Sequence, residues 1–507
     1  MQMTEYFVYL AYGLLVPVIY STIHCIYNVF FHPLRAYPGP KSWAASLFPS
    51  TVHSLRGRLP YAVKSLHDIY GEVVRTGPNT LSYNSDQAWE DICGHGKRFE
   101  KDYDFYGPTV SGAPNIIIAH EADHRRMRRL QSHAFSEKAL KAQEIYLQKH
   151  VRLFIKGLRK QIDGPDGGVI PIMTWYNFTT FDLIGDLAFA DSFHCTEKAE
   201  LHPWVKITFD FIKMMEYMRL TRVWQLQSLL ELFIPKSLQE VRVNHAKWSA
   251  EKTQARLKMD TDRQDFMSYM INQIGEKGMS DAELNEAAAI LILAGSETVY
   301  FFQSRICDLD IDNDLQTATV LSGVTYHLLM HPEIYEKLKT EIRTTFQSAE
   351  EIETASLAKL EYLNACLEEG LRMFPPAPTA LPRVSPPGGG MVCGNFVPEK
   401  TIVGVCSWAA NHSAQNFADP DTYTPERWLG DPRFERDHKK ASQAFSYGPR
   451  NCIGKNLAWA EMRLILANLL WHFDVSLVDS DRDWLERNKI YLLWEKVELN
   501  VKLKPRI

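Results

Sequence analysis

Ten consecutive residues near the C-terminal end, Phe445-Ser446-Tyr447-Gly448-Pro449-Arg450-Asn451-Cys452-Ile453-Gly454, constrain this chain more than any other segment. They set a cysteine in a loop with two glycines, directly before an apolar run of helical spacing from Asn456 to Phe473. A thiolate that serves a metal needs its charge stabilised and its sulfur protected from oxidation. Gly448 and Gly454 let backbone N–H groups approach the sulfur closely. The helix starting near Ile453 turns its positive dipole end toward it, and Phe445 can shield it. For Cys452 alone, a structural cysteine in a turn is the commoner case. The pattern Phe-x-x-Gly-x-Arg-x-Cys-x-Gly fixes five positions, and a chance match in a chain this long is on the order of 10⁻⁴.

The remaining cysteines, at 25, 93, 195, 307, 366, 393 and 406, are scattered and form no CxxC pair. Neither a zinc knuckle nor a thioredoxin-like site follows, and such spacing fits a reducing compartment. A net charge of −5 over 507 residues gives no basic field, so nucleic acid is excluded as a partner. Helical periodicity dominates: Asp123–Gln161, Trp175–Phe189, Met279–Val299 (opened by a Ser280/Glu283 capping box) and Asn456–Phe473. Strand-like pieces lie at Gly71–Arg75, Ile402–Val405 and Val497–Leu503. The fold class read from these is mostly α with minor β.

Three further segments carry a pattern. Glu369-Gly370-Leu371-Arg372 places a carboxylate and a guanidinium on one helix face, and Phe374-Pro375-Pro376 follows it directly. Pro425-Glu426-Arg427-Trp428 adds a second arginine. Ala294-Gly295-Ser296-Glu297-Thr298 puts a glycine in mid-helix, at a cost of about 1 kcal/mol relative to alanine. Together with the cysteine loop these resemble, essentially end to end, the cytochrome P450 family of haem-thiolate monooxygenases.

The resemblance implies that family's fold and haem b held by Cys452. It implies propionate partners at Arg450, Arg128, Arg383 and His124, the last standing where tryptophan is usual. It also implies a structural triad of Glu369, Arg372 and Arg427. Gly295 would open a groove for O₂, Thr298 would hydrogen-bond the bound oxygen and Glu297 would relay protons. No dinucleotide or flavin fingerprint is present, so electrons would come from an NADPH–cytochrome P450 reductase. Asn177-Phe-Thr-Thr-Phe-Asp182 with Gly185-Asp186-Leu187 resemble fungal members of secondary metabolism, including the isotrichodermin hydroxylase type. The expected reaction inserts one oxygen atom from O₂ into an apolar small molecule. A haem-thiolate isomerase or dehydratase is the alternative, which Glu297 and Thr298 disfavour.

Tyr6–Phe31 holds no Asp, Glu, Lys or Arg, and its 26 residues exceed the roughly 20 needed to cross a bilayer. Arg35 and Lys41 follow it. The expectation is a single transmembrane helix within residues 1–32, in endoplasmic reticulum lipid, with a cytosolic catalytic domain at 33–507. On that orientation the sequons at Asn177 and Asn411 stay bare.

Val299–Gln316 breaks the pattern. It ends with Asp308, Asp310, Asp312 and Asp314, which suit a helix interior poorly. Removing it joins Glu297-Thr298 to Thr317-Ala318-Thr319 in one uninterrupted helix. Valine codons begin with GT and one glutamine codon is CAG, the usual intron ends, so 299–316 reads as a retained intron. An EF-hand count from Asp308 fails at the glycine and glutamate positions. If the segment is translated, an impaired haem-binding protein is the further alternative.

Overall fold

A computed structural model describes residues 2–107, 109, 111–162, 164, 168–202, 216, 218–225, 236–271, 278–296 and 316–506, with the side chains of 2–14, 236–246, 293–296 and 316 set aside. Helices make most of it: α1 Gln2–Phe30, α2 Phe48–Leu55, α3 Glu121–Ser132, α4 Glu137–Ile162, α5 Ile172–Phe189, α6 Asp281–Ser296, α7 Gln316–Met330, α8 Pro332–Thr345, α9 Glu361–Met373 and α10 Lys455–His472. A five-stranded sheet takes β1 Val73–Gly77, β2 Thr80–Tyr83, β3 Glu100–Lys101, β5 Arg383–Val384 and β8 Ile402–Val405, in the order β1-β2-β8-β5-β3. Only the β2–β8 pairing in it is parallel. Smaller sheets join β4 Val169–Pro171, β12 Asn500–Pro505 and β9 Phe473–Leu477, then β6 Gly390–Val392 with β7 Asn395–Val397, and β10 Lys489–Ile490 with β11 Trp494–Glu495.

The centre of the helical part is α5. Every residue of it except Thr174 is buried, as a helix apolar on all sides requires. It packs against α4, α6 and α7. Its polar side chains find partners: Asp182 accepts from the Cys195 and Thr196 amides, each at 2.8 Å. Asp186 accepts from His150 at 2.8 Å, Lys149 at 3.0 Å and Arg263 at 2.6 Å. The capping box at the start of α6 is formed both ways, with Glu283 accepting from the Ser280 amide at 2.9 Å and Ser280 from the Glu283 amide at 3.3 Å.

Of three expectations, two change and one gains a second physical cause. The helix expected over Asp123–Gln161 is two, because Ser136 turns extended after α3 and its hydroxyl accepts from the Ala139 amide at 3.2 Å, starting α4 afresh. Both sequon asparagines are buried, Asn177 at 1% and Asn411 at 0% exposure, so packing alone denies them a glycan. The third concerns the anchor. Although α1 is helical, no helix among the described residues is long and apolar enough to cross a membrane. From Leu15 to Phe30 its large apolar side chains other than Val29 stand exposed.

Candidate active site

Cys452 lies between a 3-10 turn, Gly448–Arg450, and the first turn of α10. Its amide donates to the Phe445 carbonyl at 2.8 Å, closing the loop on itself. Gly448 has φ +74°, and a Cβ there would lie 1.9 Å from the Cys93 carbonyl oxygen, so only glycine fits. From α3, Arg128 donates to the Asn451 carbonyl and side-chain oxygens, both at 2.5 Å. The sulfur is enclosed by protein but open to a cavity of about 810 Å³. Burial pushes its thiol pKa up, while the Gly454 amide, Arg128 and Lys455 pull it down.

One side of that cavity is cationic: Lys101, Arg128 and Arg450 line it, and Arg383 sits beside Lys101. Arg450 donates to the Ala119 carbonyl at 2.8 Å, Arg383 to the Phe99 carbonyl at 3.4 Å and Lys101 to the Ile117 carbonyl at 2.5 Å. The β3–β5 pairing sets Lys101 directly opposite Arg383. Burial, reinforced by Arg383 and Arg450, holds the Lys101 ammonium well below its usual range. His124, 2% exposed, is pushed down to about 3 by burial and by Arg450, Arg128, Lys101 and Arg383. Its Nδ1 has no partner among the described residues. Glu121, 3.5 Å from Arg450, is a half-exposed counter-charge. Such a group of cations is short of anions, and two carboxylates on a bound group would supply them.

Glu369, Arg372 and Arg427 are all 0% exposed. Arg372 grips Glu369 with Nε–Oε2 at 2.9 Å and Nη2–Oε1 at 2.7 Å, and Arg427 Nε lies 3.4 Å from Oε1. Two residues that the sequence did not single out complete the unit. Trp428 donates to Glu369 Oε2 at 2.9 Å, and Asp437 pairs with Arg427. Burial alone would raise the Glu369 pKa; the two arginines outweigh it and hold the carboxylate ionised.

Across the cavity, α6 contributes Asn285, Glu286, Ile290 and Leu291, and α7 contributes Thr317 and Val320. Gly295 lies in the last turn of α6. Glu297, Thr298 and residues 299–315 lie outside the described residues. Ser111, Asn115 and Ile118 also line the cavity, as do Glu216, Arg219 and Arg222. Arg222 donates to the Asp104 carbonyl at 2.9 Å and the Phe105 carbonyl at 3.1 Å.

The family model described as cytochrome P450 matches residues 39–301 and 316–503. The chain belongs to the cytochrome P450 family. It is 42% identical over 502 residues to the cytochrome P450 monooxygenase aclL of Aspergillus oryzae, covering 98% of each chain. It is 42% identical to the monooxygenase astA of Talaromyces wortmannii, covering 96% of each. To the averantin hydroxylase of Dothistroma septosporum it is 39% identical, over 95% of this chain and 88% of that one. It is accordingly an oxidoreductase of the monooxygenase type, with the mostly helical cytochrome P450 fold.

A cytochrome P450 carries a haem-thiolate centre, and the residues present fit one. An accessible thiol opens into the cavity, the Nδ1 of His124 has no partner among the described residues, and the neighbouring cations suit a group that carries carboxylates. Lys101 belongs to this set and was missed from sequence, because only the β3–β5 pairing brings it beside Arg383.

Proposed function

We propose that this cytochrome P450 inserts one oxygen atom from O₂ into an apolar small molecule of fungal secondary metabolism, drawing electrons from an NADPH–cytochrome P450 reductase. The observation that carries the reading is the open thiol of Cys452 in a cavity with a cationic side. When bound, haem b supplies oxygen activation at its iron. Cys452 is its ligand, with Phe445, Gly448 and Gly454 shaping the loop around the sulfur. Arg128, Arg383, Arg450 and His124, joined by Lys101, hold the propionates. Gly295 leaves room for oxygen, and Glu297 with Thr298 moves protons. Glu369, Arg372 and Arg427 form a structural triad. The averantin hydroxylase among the relatives favours hydroxylation over isomerisation or dehydration.

Membrane attachment belongs to the same proposal. The apolar side chains exposed along α1 from Leu15 to Phe30 favour seating on the cytosolic face of the endoplasmic reticulum. The body, 33–507, forms the catalytic domain. Residues 299–316 are proposed to be a retained intron: the family model stops at 301 and resumes at 316, and four aspartates fall between.

Two measurements test this. With reductase, NADPH and ¹⁸O₂, a metabolite extract of the producing fungus gains a product heavier by one labelled oxygen; label-free product supports isomerase or dehydratase chemistry. Transcript sequencing that finds 299–316 in every mature message ends the intron reading.

A further inference from the structure

Three carboxylates line the described part of the cavity, and they differ in what answers their charge. Glu216 is paired with Arg219 at 2.6 Å and accepts from the Ser54 hydroxyl at 2.8 Å. Glu461 is 2% exposed and accepts from the Thr317 hydroxyl at 2.9 Å. Glu286, half-buried on α6, has no cation beside it among the described residues. Its Oε1 accepts from the Ser111 hydroxyl at 2.7 Å. Its Oε2 makes no hydrogen bond among the described residues and is not buried.

The serine is itself fixed. Its oxygen accepts from the Ala113 amide at 3.1 Å, and Thr109 donates to the Ala113 carbonyl at 2.7 Å. Past Glu286 the wall turns apolar. Ala289 and Ile290, three and four residues on, share its helix face and line the same cavity. An accessible carboxylate oxygen beside an apolar wall calls for a donor, and a hydrogen bond to an ionised acceptor is a strong one. The donor that Glu286 already holds is a neutral hydroxyl. The guanidinium groups of Arg219 and Arg222 line the same cavity, which disfavours an ammonium ligand. Glu286 also lies nine residues before Gly295 on α6, about 13.5 Å along the axis. A molecule anchored there by a hydroxyl offers its far, apolar end to the place of oxygen activation proposed above.

We propose that Glu286 is a specificity-determining residue: it accepts a hydrogen bond from a hydroxyl group on an otherwise apolar substrate, so that oxygen enters at the end remote from that hydroxyl. Ser111 orients the carboxylate. The substrate class is therefore an elongated apolar alcohol or phenol, and the assignment rests on the monooxygenase reading above.

The test uses the full chain loaded with haem, with para-phenylphenol and its methyl ether as probes. Binding is read without turnover from the change in the haem spectrum on titration. Wild type should bind the phenol about ten-fold tighter than the ether, the worth of one charge-assisted hydrogen bond. Glu286→Ala should bring the two affinities together by weakening the phenol alone. Equal binding in wild type, or a preference that survives Glu286→Ala, overturns the proposal. Should Glu286→Ala fail to fold, Glu286→Gln keeps the shape and removes the charge, and a preference unchanged in it counts against the proposal. Ser111→Ala leaves the carboxylate in place, so the preference should persist; its loss there, with Glu286→Ala unaffected, puts recognition on the serine and overturns the assignment. With reductase and NADPH, the new oxygen should appear on the ring remote from the phenol, and oxidation of the phenol ring itself overturns the orientation. An intact binding preference with no NADPH-dependent product fails the monooxygenase reading instead.

Discussion

Arg128 reaches out of α3 to hold Asn451, the residue before Cys452, by its carbonyl and its side-chain oxygen together, at 2.5 Å each. The cysteine loop thus takes its position from a helix more than three hundred residues earlier in the chain. A guanidinium makes such a two-pronged grip; an ammonium cannot. Arg128→Ala should lower stability by about 2 kcal/mol, the worth of hydrogen bonds to a charged group, and reduce haem content further than stability alone explains. Arg128→Lys should fall between. Thermal unfolding of the haem-free chain and the haem-to-protein ratio check both.

Gly448 leaves no room for change. With φ +74° and the Cys93 carbonyl where a Cβ would stand, Gly448→Ala must shift either the loop or the end of the short helix Asp86–Cys93. The left-handed backbone alone costs about 1–2 kcal/mol in a non-glycine residue. The expected result is a chain that folds with its helix content intact, read by circular dichroism, yet retains little haem.

The buried unit of Glu369, Arg372 and Arg427 behaves differently, since removing one charge strands the others. Glu369→Ala leaves two arginines buried without their shared carboxylate and should cost about 3–5 kcal/mol. Replacing Glu369 and Arg372 together should cost less than the two single losses added. Urea unfolding of the three variants measures that coupling.

Glu461 also sets a pH dependence of stability. Its folded pKa of about 8 lies above the ordinary 4.5, so between those values the native chain binds a proton that the unfolded chain has lost. Stability from this group is complete below 4.5 and is lost as pH rises through about 8. Glu461→Gln should flatten the decline in unfolding temperature from neutral to alkaline pH, which a pH series of melting curves reads directly.

What could be read before the fold was known follows chain locality. The loop around Cys452, the Glu369–Arg372 pair and the Ser280–Glu283 cap are short motifs, whose spacing alone sets side chains on one face. Lys101, Asp437 and the Glu461–Thr317 bond depend on meetings between distant segments, and no local pattern announces them. The break at Ser136 went unseen because residues that favour helix lie on both sides of it. At α1 the charge-free run Tyr6–Phe31 suggests a bilayer span, whereas no helix among the described residues is long and apolar enough to make one.

The reduced, carbon-monoxide-bound absorption spectrum tests the central claim most directly, recorded for this chain beside Cys452→Ser and a version lacking 299–316. The account predicts the long-wavelength Soret band of a thiolate ligand in the shortened chain, and its loss when Cys452 is replaced in either background. A thiolate band that survives Cys452→Ser would contradict the assignment of that cysteine. A well-folded shortened chain that binds no haem would contradict the function built on it.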